Sequence, residues 1–249
     1  MRIKFLIMAM MIVGAMCGCT AQENEAGCDV FKTQSGTTVK MYCIKHGSVR
    51  MQVGDKWIYV DPVTKAVKPE TDYSTLPKAD YILVTHEHFD HMDSVAINQL
   101  SKQGTKLITN ARCHELLGGK GVIMANGDVM ELDNGWNVEA VPAYNNSPEK
   151  LQFHPKGRDN GFVLAIEGMR IYIAGDTEDI PEMADIKDID VAFLPCNLPY
   201  TMTPEQFAHA ATMIQPTVLF PYHYGQTDIQ QVVKLLDGSG IDVRIRNYQ

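Results

Sequence analysis

Between His86 and His91 the chain reads His-Glu-His-Phe-Asp-His, three of its 8 histidines within one short stretch, directly behind the apolar run Tyr81-Ile82-Leu83-Val84. An apolar run that ends in such a cluster reads as a buried strand that carries metal-binding side chains at its tip. Alternate residues of an extended segment share a face. His86, His88 and Asp90 are therefore expected to point one way and His91 another, so that one strand tip feeds two adjacent cations. Imidazole and carboxylate suit zinc, with manganese or iron as alternatives, and three protein ligands per ion leave a position open for water.

The pattern of a strand that ends in a metal-binding residue recurs downstream, at Gly175-Asp176-Thr177 and at Pro221-Tyr222-His223-Tyr224. In this order the three motifs resemble those of the metallo-β-lactamase-fold hydrolases, from about Val39 to the C-terminus. Within them the chain looks most like the branch that holds the ascorbate-phosphate lactonase-like proteins and the phospholipase-D-type enzymes acting on N-acyl phosphatidylethanolamine. The resemblance implies that Asp176 bridges two divalent ions, that His86 and His88 hold the first, and that Asp90, His91 and His223 hold the second. Relatives carry a further histidine for the first ion where this chain has Asn145, a poor zinc ligand. His154 is the nearby histidine and is expected to complete that site, with a single-ion enzyme as the competing possibility. A β-lactamase role is disfavoured, because the zinc β-lactamases do not use a bridging carboxylate.

Sheet and helix signals agree with an α/β chain that has its ligands at strand ends in both halves. Residues 39–46, 48–53 and 56–60 read as strands, the last two joined at Gly54-Asp55. A helix is expected over 94–103, strands over 122–125, 129–132 and 137–141, and a hairpin at Glu167-Gly168. Thr203-Pro204-Glu205-Gln206 is a capping box that launches a helix to Ile214. The ordering fits a four-layer αββα sandwich with the site in the cleft between the sheets. His46 is expected to support the site rather than bind metal, His114 to lie at the surface, and His209 to be structural. The loop 142–160 is long enough to be functional. From it Tyr144, Asn145 and Arg158 are candidate substrate contacts, together with Tyr222 and Tyr224.

The N-terminus carries a different signal. Arg2 and Lys4 precede an apolar run over residues 5–16, followed by Gly18-Cys19 and a polar tract. This reads as a signal peptide (1–18), a tether lipidated on Cys19 (19–37) and a hydrolase domain (38–249), hence an exported lipoprotein on a bacterial membrane, facing the periplasm or the exterior. In an oxidising compartment Cys28 and Cys43 could pair or remain thiols, whereas Cys113 and Cys196 suit apolar packing. The net charge of -8 argues against a nucleic-acid partner; a small-molecule or lipid substrate is expected. Two ions sharing a water lower its pKa toward about 7 and hold hydroxide ready to attack. Asp90 and Asp176 are the expected catalytic carboxylates. The predicted activity is hydrolysis of an ester-type bond, a lactone or a phosphodiester. A mononuclear iron oxidoreductase of the sulfur dioxygenase type and a metal-stabilised binding protein are the alternatives.

Overall fold

The computed structural model describes residues 27–247. The expected signal peptide and the lipidation site at Cys19 lie outside the described residues. Two seven-stranded sheets follow one another along the chain, each in simple sequential order. The first holds β1 (Asp29–Lys32), β2 (Thr38–Lys45), β3 (Ser48–Val53), β4 (Lys56–Val60), β5 (Tyr81–Leu83), β6 (Lys106–Thr109) and β7 (Val122–Ile123). The second holds β8 (Val129–Glu131), β9 (Asn137–Ala143), β10 (Asp159–Ile166), β11 (Met169–Ile173), β12 (Val191–Pro195), β13 (Val218–Tyr222) and β14 (Asp242–Val243).

Both sheets are built by the same rule. β1 to β4 and β8 to β11 are antiparallel meanders, and the strands after them are added parallel. The meanders turn tightly where the sequence permits a left-handed backbone, as at Glu167 (φ 48) and Gly168 (φ 81), a pair suited to a two-residue hairpin. Parallel neighbours need crossovers. Four of them carry α-helices, α1 (Ser94–Leu100), α2 (Ala111–Leu116), α3 (Pro204–Ile214) and α4 (Gln230–Leu235), while β4 to β5 and β11 to β12 cross over through the short 3-10 turns Tyr73–Thr75 and Pro181–Asp185.

Three apolar clusters separate four layers. Between the sheets, Met41, Met51 and Ile58 of the first pack with Phe162, Leu164, Ile171 and Phe220 of the second. Outside the second sheet, Tyr172 and Leu194 pack under Phe207, Ile214 and Val232 of its helices. Outside the first, Tyr59 and Ile82 pack under Ala96, Leu100 and Cys113. The result is the expected αββα sandwich. In α3 the buried residues Phe207, Ala210, Ala211 and Ile214 recur at helical spacing, while Thr203 and Gln206 form the capping box. Truncating one of these large core side chains, Phe220 for example, costs about 3–5 kcal/mol.

Two expectations are revised and one open alternative is resolved. β1 lies within the stretch read as tether (19–37) and pairs with β2 through Asp29 opposite Met41. Its polar-looking sequence hides Phe31, which is buried between the sheets. Cys28 and Cys43 are not joined by a disulfide. Continuing the β1–β2 register sets Cys28 opposite Tyr42, one residue out of step with Cys43. Helix α1 stops at Leu100 instead of continuing to Gln103, because Ser101 turns extended (ψ 142) and Gly104 takes a left-handed φ of 89.

Candidate metal centre

Strand β5 delivers the histidine cluster, but the backbone does not remain extended through it. The N–H groups of His91 and Met92 both donate to the His88 carbonyl, at 2.9 and 2.8 Å. This turn leads into Asp93, the N-cap of α1. The expected alternation therefore ends at His88. His86 and His88 stay together, Nε2 to Nδ1 at 3.1 Å. Asp90 swings to the other side, where its Oδ2 lies 2.9 Å from His46 Nε2 and 3.5 Å from His223 Nε2.

His154 reaches the first pair by a closed loop between β9 and β10. The Asn145 N–H donates to the His154 carbonyl at 2.8 Å, which folds residues 145–154 back on themselves. The His154 ring then stands 5.0 Å from that of His86 and 4.9 Å from that of His88, centroid to centroid. Asn145 itself turns away, donating from Nδ2 to the carbonyls of Lys150 (3.1 Å) and Tyr200 (2.8 Å).

Asp176 occupies the middle. Its Oδ2 lies 3.4 Å from Nε2 of both His154 and His223 and 3.9 Å from Nε2 of His86, while its Oδ1 lies 3.4 Å from Nε2 of His91. The preceding Gly175 has φ 67, and a Cβ there would come within 2.9 Å of the Asn160 carbonyl oxygen. Only glycine lets the chain bend so closely at this strand tip. Gly47 does the same service opposite, since a Cβ would sit 2.7 Å from His91 Cε1. His223 donates its N–H to the His46 carbonyl at 3.0 Å, and their rings are 3.7 Å apart.

Carboxylates behind the rings aim the histidines. Asp61, fully buried, accepts from the Thr85 N–H (2.8 Å), the Thr85 hydroxyl (2.7 Å) and His91 Nδ1 (2.8 Å). Because the Thr85 hydroxyl gives its proton to Asp61, it accepts from Nδ1–H of His86, 2.9 Å away. Both rings are thereby held with Nε2 facing the centre. Asp159 does the same for His154 at 3.3 Å and is itself paired with Arg158.

The donor atoms gather into three groups whose members lie within 4.8 Å of one another: His86 with His88 and His154; His86 with His91 and Asp176; and His46 with Asp90, His91 and His223. Nε2 of His91, Nε2 of His223 and Oδ1 of Asp176 are buried without a hydrogen-bond partner. Leaving such groups unsatisfied costs about 1–3 kcal/mol each, and divalent cations at their convergence satisfy them, so the residues fit a metal centre.

Electrostatics point the same way. Burial pushes the His86 pKa well below its ordinary value, helped by the neighbouring His91, His154 and His88; burial lowers His88 too. Both rings are neutral and available at neutral pH. Burial also opposes charge on His91, but Asp176 and Asp61 outweigh it and lift its pKa to about 10. For Asp90, burial is overcome by the His223 ring 3.5 Å away, by the hydrogen bond with His46 and by the charge of His91, so the carboxyl stays well below the usual range.

The centre opens on a cavity of about 570 Å³. His46, His88, Asp90, His154, Asp176 and His223 form its floor, and Ala66, Val67, Glu87, Phe89, Phe153, Asn197 and Tyr200 its walls. None of the five expected substrate contacts is among these lining residues, because each spends its polar end on the protein. The Tyr222 hydroxyl donates to the Gly175 carbonyl, and that of Tyr224 to the Arg246 carbonyl. The Tyr144 hydroxyl donates to Glu182, Arg158 joins Asp159 to Glu87, and Asn145 ties two loops. His209 pairs with Asp179 on an exposed helix face, and His114 bonds the Gly121 carbonyl at the edge of the first sheet.

Sequence reasoning passed over Asp61, Asp159 and the aromatic wall. Asp61 had a signal: it follows an apolar strand directly, and Asp176 stands three residues beyond one. Asp159, Phe153 and Tyr200 had none, since their roles depend on how two loops fold.

An αββα sandwich that gathers imidazoles and carboxylates at the tips of its two sheets is the arrangement of the metal-dependent hydrolases of the metallo-β-lactamase fold. The chain belongs to this superfamily: residues 56–224 match the family model described as the Beta-lactamase superfamily domain. It is 33% identical over 186 residues to a UPF0173 metal-dependent hydrolase of Ligilactobacillus salivarius, covering 72% of this chain and 82% of that protein. A crystal structure from Parabacteroides distasonis, assigned as a metal-dependent hydrolase, shares 51% identity and superposes with a TM-score of 0.85 over 89% of this chain and 99% of that one. A metallo hydrolase from Ignicoccus hospitalis, 24% identical, has the same fold, with a TM-score of 0.68 over 84% of this chain and 95% of its own. The protein is a metal-dependent hydrolase.

Proposed function

We propose that this hydrolase works with two divalent cations, zinc by preference, and cleaves an ester-type bond, a lactone or a phosphodiester. His86, His88, His154 and Asp176 hold one cation, and Asp90, His91, His223 and Asp176 the other. The observation that carries this reading is the position of Asp176, within 3.4 Å of ring nitrogens from both histidine sets. The presence of the second set, beside a first one already complete in imidazoles, favours two ions over the single iron of an oxidoreductase.

Bound cations supply Lewis acidity and an acidified water at neutral pH. The residues supply position. Asp61 and Asp159 fix the ring tautomers, so that Nε2 lone pairs and not N–H groups face the centre. Asp90 stays ionised, accepts from His46 Nε2, and presents its partly exposed carboxylate to the cavity, where it can orient an attacking water. The substrate enters between Phe89 on one loop and Tyr200 on another, with its scissile bond over Asp90 and Asp176. Export and a lipid on Cys19 would bring this site to extracellular small molecules or lipids.

The test is hydrolysis of a lactone and a phosphodiester by protein loaded with zinc or manganese, before and after chelation. Turnover that chelation abolishes and either metal restores supports the proposal. Turnover that survives chelation contradicts it.

A further inference from the structure

The polar floor of the cavity faces a wall of a different kind. Phe89 lies between two of the cluster's metal-binding residues yet is 73% exposed, and so does not serve the core. Phe153 and Tyr200, from two other loops, stand edge to face with ring centroids 5.2 Å apart. Asn145 binds those two loops together through the carbonyls of Lys150 and Tyr200. Ala66 and Val67 close the remaining side. This second wall is held from behind by Lys45, whose buried ammonium donates to the carbonyls of Thr64, Val67 and Pro69 at 2.8, 2.8 and 2.9 Å.

Charge on the lining is all of one sign. No lysine or arginine is among the lining residues, and the ionisable groups other than histidine are Glu87, Asp90 and Asp176. Arg158 stands behind Glu87 at 3.0 Å and is committed to it and to Asp159. Asn197 and the Tyr200 phenol are the uncharged polar groups of the wall. Cations on the floor can accept the developing negative charge at the reacting carbon or phosphorus. A second anionic group, one bond or more away, would lie against aromatic rings and carboxylates with no cationic side chain among the lining residues to pair with it.

Resting on the hydrolase reading, we infer that the substrate is a carboxylic ester or lactone whose group beside the scissile bond is uncharged and apolar, aryl or branched alkyl. Phe89, Phe153 and Tyr200 clamp that group and set specificity. The cavity, about 570 Å³, suits a single small molecule of this kind. Substrates that carry a carboxylate or phosphate remote from the reacting centre are rejected.

A matched pair of substrates tests this: methyl phenylacetate and its para-carboxylate analogue, hydrolysed by the metal-loaded protein. The expected result is a kcat/KM for the neutral ester at least about 100-fold higher. Phe89→Ala and Tyr200→Ala are each expected to raise KM for the neutral ester about tenfold, with a much smaller fall in kcat. Equal or better turnover of the carboxylate analogue, or an unmoved KM in both variants, overturns the inference and leaves the hydrolase reading standing. If neither ester is turned over, that reading fails for carboxylic esters, and calorimetry with phenylacetohydroxamate and its para-carboxylate analogue decides the inference. Tighter binding of the neutral hydroxamate, weakened by Phe89→Ala, supports it; equal affinities overturn it.

Discussion

Nε2 of His154 lies 3.4 Å from Oδ2 of Asp176, although the two residues come from different loops at the ends of different strands. That closeness makes His154, and not Asn145, the third imidazole beside His86 and His88. It rests on the Asn145 N–H bond to the His154 carbonyl, a backbone contact that any residue at position 145 except proline could make.

Asp61 touches no cavity surface, yet it holds His91 directly and His86 through Thr85. Asp61→Asn keeps the volume but exchanges an acceptor for a mixed donor and acceptor, and leaves one ring free to turn. Metal affinity, measured by competition with a chromophoric chelator, is expected to fall about 10–100-fold. An unchanged affinity would mean that the rings are held by packing alone.

Lys45 is fully buried, and its three donors are matched to three carbonyls of the loop that carries Ala66 and Val67. Lys45→Met retains the stem and removes the donors. Stability, measured by urea unfolding, is expected to drop by about 2–4 kcal/mol, with a rise in KM in whatever protein remains folded. A midpoint and KM like those of the parent would show that the loop holds itself.

Metal uptake is expected to release protons. With its pKa raised to about 10, His91 is protonated at pH 8 in the metal-free protein and must give up its Nε2 proton to bind a cation. His86 and His88, lowered by burial, are already neutral and contribute none. Zinc titrations at pH 8 in buffers of different ionisation enthalpy should therefore report about two protons released per chain, one from His91 and one from the acidified water, with the His91 share lost as the pH rises through about 10. Release of a single proton, or of none, would contradict the assignment of His91.

Much of this was legible in the sequence because strand tips announce themselves. His86, His88, Asp176 and His223 each follow an apolar run that is too short for a helix, and the structure brings them into adjoining donor groups around Asp176. The register of the cluster was not legible. Period-two alternation holds only while the backbone is extended, and the turn at His88 that leads into α1 overrode it. The substrate wall was also hidden. Tyr222 and Tyr224 looked suitable beside His223, but residues that flank a ligand on a strand point into the core or along the sheet. The rings that do line the cavity, Phe153 and Tyr200, sit in loops whose path depends on long-range bonds such as Asn145 to Tyr200.

The central claim is that one carboxylate, Asp176, joins two metal sites of which His154 completes the first. Elemental analysis of purified protein lacking residues 1–19 measures this directly, comparing the parent with His154→Ala after circular dichroism has shown both to be folded. The account predicts about two zinc or manganese ions per chain in the parent and a fall toward one in the variant. One ion in both proteins would contradict it.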